Sequence, residues 1–203
     1  MTPNSHISRW LAGVATLALA GCASMPASDS AAARSPAATT RAPSAAMATT
    51  SSVPQASVTL APASGSLVSG RLLLRPMGDG VHLSGEIGGL TRNGIHAIHI
   101  HEHGDCSAAD ASSAGGHFNP TGAPHGKVGA GAHHAGDMDN IVANASGVAT
   151  VNVHARGVVL GGGAANDAIG RAVVVHAQRD DYSSQPSGDA GARVACGVIR
   201  AQD

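Results

Sequence analysis

From Ser57 onward, apolar and polar residues alternate over short runs, with Gly, Asp and Asn in the gaps between them. A period of two places successive side chains on opposite faces of an extended chain, so these runs read as strands. They are expected over Ser57 to Leu60, Ser66 to Arg75, Val81 to Ile87, Ile95 to His101, Ile141 to Val142, Ala149 to Val153, Ala172 to His176 and Val194 to Ile199. Gly78-Asp79-Gly80 is a turn signal that makes the second and third runs a hairpin. No convincing amphipathic helix interrupts the series, and Glu102 to Gly136 is a long irregular stretch rich in Gly, Ala, His and Asp. Short strands joined by long Gly-rich connections predict an all-β sandwich or barrel, with function carried in the loops.

Ahead of the strands the pattern changes twice. Trp10 to Ala20 is apolar but falls short of the roughly 20 residues a spanning helix needs, and Arg9 precedes it with no acidic residue before it. Residues 1–21 therefore read as a signal peptide. Their end, Leu19-Ala20-Gly21-Cys22, resembles the bacterial lipobox, which implies cleavage before Cys22 and lipidation of its sulfur. Ala23, rather than Asp, after that cysteine resembles the outer-membrane class of Gram-negative lipoproteins. The expected location is the periplasm or cell envelope, with membrane contact only through the lipid on Cys22. Ala23 to Gln55 is almost wholly Ala, Ser, Thr and Pro, with Pro26, Pro36, Pro43 and Pro54 breaking any helix. Nothing there could offset chain entropy by burial, so residues 22–56 are expected to be a flexible tether and 57–203 the folded domain.

Composition narrows the function. Lys plus Arg number 12 against 13 Asp plus Glu, a net charge of −1, and that lacks the basic excess with which nucleic-acid binders neutralise phosphates. Only three aromatics occur, so the core must be aliphatic. With Cys22 given to lipid, Cys106 and Cys196 remain as a pair that an oxidising envelope would bridge. Closing that long loop is worth on the order of 4 kcal/mol in the chain-entropy model.

The 12 histidines equal the whole Lys plus Arg count, which points to metal ligation. His99 and His101 are two apart on an expected strand, so both project from one face while Ile98 and Ile100 take the other. His117, His125, His134 and Asp137 follow in the long loop, and His176 ends an apolar strand. Imidazoles with one carboxylate suit copper and zinc rather than calcium or magnesium.

Five segments then occur in a recognisable order: GIHAIHIHEHGDC (Gly94 to Cys106), GGHFNPTGAPHG (Gly115 to Gly126), HHAGDMDN (His133 to Asn140), RAVVVHAQRDD (Arg171 to Asp181) and GDAGARVACGVI (Gly188 to Ile199). Over roughly Ser57 to Ala201 the chain resembles the copper,zinc superoxide dismutase family. The resemblance implies a Greek-key sandwich or barrel of about eight antiparallel strands and one copper and one zinc per chain. It implies copper on His99, His101, His117 and His176, and zinc on His117, His125, His134 and Asp137, with His117 bridging. It further implies that Asp180 holds a ligand of each metal, that Arg193 docks the anion, and that Cys106 and Cys196 form the family disulfide. In that family the bridging histidine leaves copper on reduction and its freed nitrogen carries a proton, so Arg193 and His117 are the expected catalytic residues.

The function so implied is disproportionation of superoxide to dioxygen and hydrogen peroxide by Cu(II)/Cu(I) cycling, an antioxidant role in the envelope. The alternative is a copper and zinc buffering or delivery domain with little turnover, which would need no anion site such as Arg193. A zinc hydrolase would want an open zinc position, and three histidines plus Asp137 leave none. Family members occur as monomers and as homodimers. His96 matches a structural histidine of the family, while His82, His103, His133 and His154 are left outside the ligand sets.

Overall fold

The computed structural model describes residues 45–202, so the expected signal peptide, Cys22 and the first part of the tether lie outside the described residues. Ten strands form, β1 (Ala56–Pro62), β2 (Ser69–Met77), β3 (Gly80–Gly88), β4 (Ile95–His96), β5 (Ile98–His101), β6 (Ile141–Val142), β7 (Ala149–Arg156), β8 (Ala172–His176), β9 (Arg193–Val198) and β10 (Arg200–Ala201). All strand pairings are antiparallel. The main sheet has eight strands in the order β5-β8-β9-β1-β2-β3-β7, with β10 beside β1, and β4 pairs with β6 separately. The chain leaves β3 and β7 without pairing with the strand that follows, as at the crossovers of a Greek key, and the connection after β7 is the longer of the two. Gly78-Asp79 forms the expected two-residue turn, with Met77 opposite Gly80 and Gly78 at φ +59°.

Alternation decides what faces inward. Ala56, Val58 and Leu60 of β1, Leu72 and Leu74 of β2, and Ala149, Val151 and Val153 of β7 all enter one core. That core is aliphatic, with Phe118 as its aromatic member. β5 and β8 differ, because every residue in them is buried. Ile98, Ile100, Val173 and Val175 face the main core, while Ala172 and Val174 join Ala63, Ala111, Ala114 and Cys196 in a second cluster on the other face. The Cys106–Cys196 disulfide links the loop after β5 to β9 beside this cluster. The long loops thus roof one face of the β5-β8-β9 region, and His99 and His101 lie under that roof.

Two expectations change. The run from Ile95 to His101 is split at Ala97, whose N–H donates to Gln178 O at 2.8 Å while its carbonyl accepts from His176 N at 2.9 Å. That residue serves the exit of β8 rather than a single continuous strand.

The second correction is to the tether drawn over 22–56: residues 46–55 are bonded to the domain, which begins before Ser57. Ser52 and Val53 donate to Leu160 O at 2.9 and 3.0 Å, and Ser51 Oγ accepts from Leu160 N at 2.9 Å. Asn166 exchanges two hydrogen bonds of 2.8 Å with the main chain of Ala48. Val53 packs on the main core. The physical reason is satisfaction: the β7–β8 crossover buries Leu160 and Asn166, and the arm supplies partners for their polar groups.

Candidate metal centre

Six histidines and two aspartates converge on β5 and the ends of β8 and β9. The loop that delivers half of them is docked along β5 by main-chain bonds. Phe118 N donates to Ile100 O at 2.8 Å, Ile100 N to Gly136 O at 2.9 Å, and Gly136 N to Phe118 O at 2.9 Å. This docking sets His117 beside His101 and brings Asp137 to His117. A side chain at Gly136 would collide with the Ile100 carbonyl, so the approach requires glycine.

His117, His125, His134 and Asp137 form one group. Asp137 Oδ1 lies 2.8 Å from His117 Nδ1, 3.1 Å from His125 Nδ1 and 3.3 Å from His134 Nδ1. His134 Nδ1 and His117 Nδ1 are 3.4 Å apart. A zinc tetrahedron with bonds of about 2.0–2.1 Å has edges of about 3.3 Å, so these four separations are close to those of a zinc shell. The other carboxylate oxygen of Asp137 accepts from Gly126 N at 3.1 Å and His134 N at 2.8 Å. Burial pushes the Asp137 carboxyl upward, but hydrogen bonds from His117 and His125 and the two main-chain N–H groups outweigh it and hold it well below the usual range.

His99, His101, His117 and His176 form the adjoining group, all buried and with one nitrogen each within 4.8 Å of the others. One nitrogen of each ring is spoken for. His99 Nε2 donates to Asp180 Oδ2 at 2.8 Å, His101 Nδ1 to Gly115 O at 2.9 Å and His117 Nδ1 to Asp137, while His176 Nδ1 is 3.4 Å from Gly191 O. The remaining nitrogens, His99 Nδ1 and Nε2 of His101, His117 and His176, are buried without any partner. Four bare imidazole nitrogens facing one another cost free energy unless something accepts their lone pairs. Burial lowers the His99 pKa to about 4 against the upward pull of Asp180, and burial holds His101 and His176 well below their ordinary value. These three rings are neutral at pH 7, as metal ligation needs.

Asp180 joins the two groups, because its Oδ1 accepts from His125 Nε2 at 2.9 Å while Oδ2 serves His99. Burial raises its pKa, but hydrogen bonds from His125 and His99 and the Tyr182 N–H prevail and keep it far below the ordinary carboxylate value. Asn140 fixes the Asp180 main chain in both directions, accepting its N–H at 2.8 Å and donating to its carbonyl at 2.9 Å. The opening to solvent is a cavity of 730 Å³ lined by His101, His117, His176, Gly191 and Arg193 among others. Arg193 donates to Ala111 O at 2.7 Å and Gly115 O at 2.6 Å, so the roofing loop aims its guanidinium at the cavity. Burial lowers its pKa somewhat, yet a guanidinium stays charged at any working pH.

The structure brings His99, His101, His117 and His176 together and His117, His125, His134 and Asp137 together, sets Asp180 between the two groups, places Arg193 on the cavity and joins Cys106 to Cys196. His96 donates from Nδ1 to His176 O at 2.9 Å, in keeping with a structural role. His82, His103, His133 and His154 join neither cluster, and Lys127 lies 5.3 Å from the centre of the Tyr182 ring. Asn140, Gln185 and Gly188 went unremarked as site residues in the sequence. A Cβ at Gly188 would fall on the Asp180 carboxylate and the His125 ring, and Gln185 brackets His125. None of the three has ligand chemistry, so residue type gave no signal beyond their presence between the ligand-bearing segments.

An all-β fold with two adjoining histidine-lined sites, one gathered round its own carboxylate and one with bare nitrogens beside a cavity that a fixed cation also lines, has the layout of a two-metal protein. The family model described as copper/zinc superoxide dismutase (SODC) matches residues 68–199. A superoxide dismutase [Cu-Zn] of Caulobacter vibrioides is 46% identical over 126 residues, covering 60% of this chain and 72% of that protein. Superoxide dismutase [Cu-Zn] 2 of Aquifex aeolicus is 43% identical over 136 residues, covering 66% and 80%. The crystal structure of a SOD-like protein from Bacillus subtilis superposes with a TM-score of 0.64 at 34% identity, covering 70% of this chain and 96% of that one. The chain belongs to the copper/zinc superoxide dismutase family. Its metals are copper and zinc, and its class is oxidoreductase.

Proposed function

We propose that this is an envelope superoxide dismutase in which His99, His101, His117 and His176 hold copper and His117, His125, His134 and Asp137 hold zinc. The observation that carries the ligand assignment is the set of four partnerless buried nitrogens beside a buried quartet of three histidines gathered round Asp137. When bound, copper supplies the one-electron couple by which one superoxide becomes dioxygen and a second becomes hydrogen peroxide. Arg193 draws the anion into the cavity and orients it, needing no titration of its own. His117 offers Nε2 to the open side while its Nδ1 stays among the closed quartet, so Nε2 can hold a proton for the departing peroxide. Asp180 keeps the Nε2 protons of His99 and His125, which fixes the nitrogen that each ring presents to a metal.

The test is metal analysis coupled to superoxide decay. About one copper and one zinc per chain with rapid, cyanide-sensitive decay is expected, whereas metal-replete protein with negligible decay would make it a metal buffer. Support for the location comes from the apolar leader and the lipobox-like Leu19-Ala20-Gly21-Cys22. Cys22→Ser should abolish palmitate labelling, and undiminished labelling would remove the anchor.

A further inference from the structure

His125 carries a double duty, because Nδ1 belongs to the closed quartet and Nε2 donates to Asp180. Both ring directions are therefore fixed, and the main chain beneath must not shift. Yet His125 lies in no strand or helix and has no ladder to hold it. Its support comes from one side chain: Gln185 Oε1 accepts from His125 N at 2.9 Å and Gln185 Nε2 donates to His125 O at 2.9 Å. A single planar carboxamide thus pairs with both polar groups of the residue as a neighbouring strand would. Gln185 and Asp180 lie on one short segment, and Asn140 secures that segment by the same reciprocal pairing at Asp180.

We propose that Gln185 is a positioning residue for zinc, holding the main chain of His125 so that Nδ1 meets the quartet while Nε2 stays on Asp180. The inference rests on His125 being a zinc ligand. The carboxamide is specific: Glu cannot donate to the carbonyl, and Leu can make neither bond.

The experiment titrates zinc into metal-free full-length parent, Gln185→Leu and Gln185→Glu in competition with a chromophoric chelator at pH 7. Copper affinity and the visible bands of Co(II) in the zinc site are read on the same proteins. Both variants should bind zinc about 10–100-fold more weakly, the usual cost of losing support behind a ligand, with altered Co(II) bands. Copper affinity of the zinc-free protein should change by less than about threefold. A variant that lowers the melting temperature but binds zinc within about threefold of parent would overturn the proposal, as would equal losses of both metals. If Gln185→Leu does not fold, the isosteric Gln185→Glu decides. A parent that binds no zinc would overturn the ligand assignment itself, whereas tight zinc binding by parent and variants alike overturns only the role of Gln185.

Discussion

The two halves of the metal centre are built by different means. His99, His101 and His176 stand on β5 and β8, buried on both faces; ladder register fixes His99 and His101, and His176, just past an irregularity in the β8–β9 ladder, is held by its N–H to Ala97 O. His125, His134 and Asp137 stand on loop, where position comes from hydrogen bonds: Asp137 to Gly126 and His134, Asp180 to His125, Gln185 to His125. The strand-borne half turns bare nitrogens towards one another with no carboxylate among them, while the loop-borne half gathers round Asp137, although His134 also lines the cavity. A redox centre must admit its substrate and keep its geometry through a change of charge, so a rigid ladder suits it. The loop-borne half can assemble around an ion that does not change valence.

The sharpest way to break this contrast is at the residue common to both halves. His117→Ala removes Nδ1 from one quartet and Nε2 from the other, so both metals should bind poorly and dismutation should fall by more than about 100-fold, beyond the usual cost of lost support behind a ligand. His176→Ala should cost copper and activity to a similar extent and leave most zinc. Metal analysis of the two variants checks this, and equal copper and zinc losses in both would show that the halves are not separable. Next in size is Arg193→Glu, which replaces a fixed cation at the open half with a repulsive carboxylate. Both metals should stay, and superoxide decay at low ionic strength should slow by roughly 10–100-fold, narrowing with added salt as screening grows. Unchanged decay would remove Arg193 from substrate capture.

How far the sequence revealed the centre follows the same division. His99 and His101 were legible because a period of two on a strand is a geometric statement, and the hairpin at Gly78-Asp79 because its turn chemistry is local. The loop-borne ligands were visible through family resemblance and residue type, since no periodicity governs a loop. Gln185 and Asn140 were not, because their bonds go to the main chains of His125 and Asp180, 60 and 40 residues away. The arm over residues 46–55 is illegible as part of the domain for a related reason. Its small polar composition has no apolar period, and its partners Leu160 and Asn166 lie more than 100 residues onward.

A smaller effect should separate the halves in metal-free protein by the sign of its pH response. His99 has a folded pKa of about 4, below its ordinary 6.5, so its contribution to stability is present above pH 6.5 and lost as pH falls towards 4. His125 goes the other way. Burial pulls it down, but hydrogen bonds and charge from Asp137 and Asp180 raise it to about 9, so its contribution is full below pH 6.5 and lost as pH rises through 9. Urea unfolding of metal-free protein across pH 4–10 should show both limbs. His125→Gln should flatten the alkaline limb and spare the acid one, and an alkaline limb unchanged in that variant would assign it elsewhere.

The smallest effect on activity is expected at the arm, which touches neither half. Its bonds run to Leu160, Ala165 and Asn166 of the β7–β8 crossover, and Gln55 bonds Gln202 at the other terminus of the domain. A chain beginning at Ala45 should therefore match the full domain in stability, metal content and activity. One beginning at Ser57 loses several hydrogen bonds, each worth about 0.5–1.5 kcal/mol net, and the contact of Val53 with the core. Its melting temperature should fall by roughly 5–15 °C, at about 2–4 °C per kcal/mol for a domain of this size. Decay per bound copper should stay within about twofold, because Asp180, Arg193 and the ligands keep their partners. Calorimetry and the decay assay on the two truncations separate these outcomes. Equal melting temperatures would return the arm to the role of a tether, and a large loss of activity per copper would show that the crossover it fastens supports the metal centre as well.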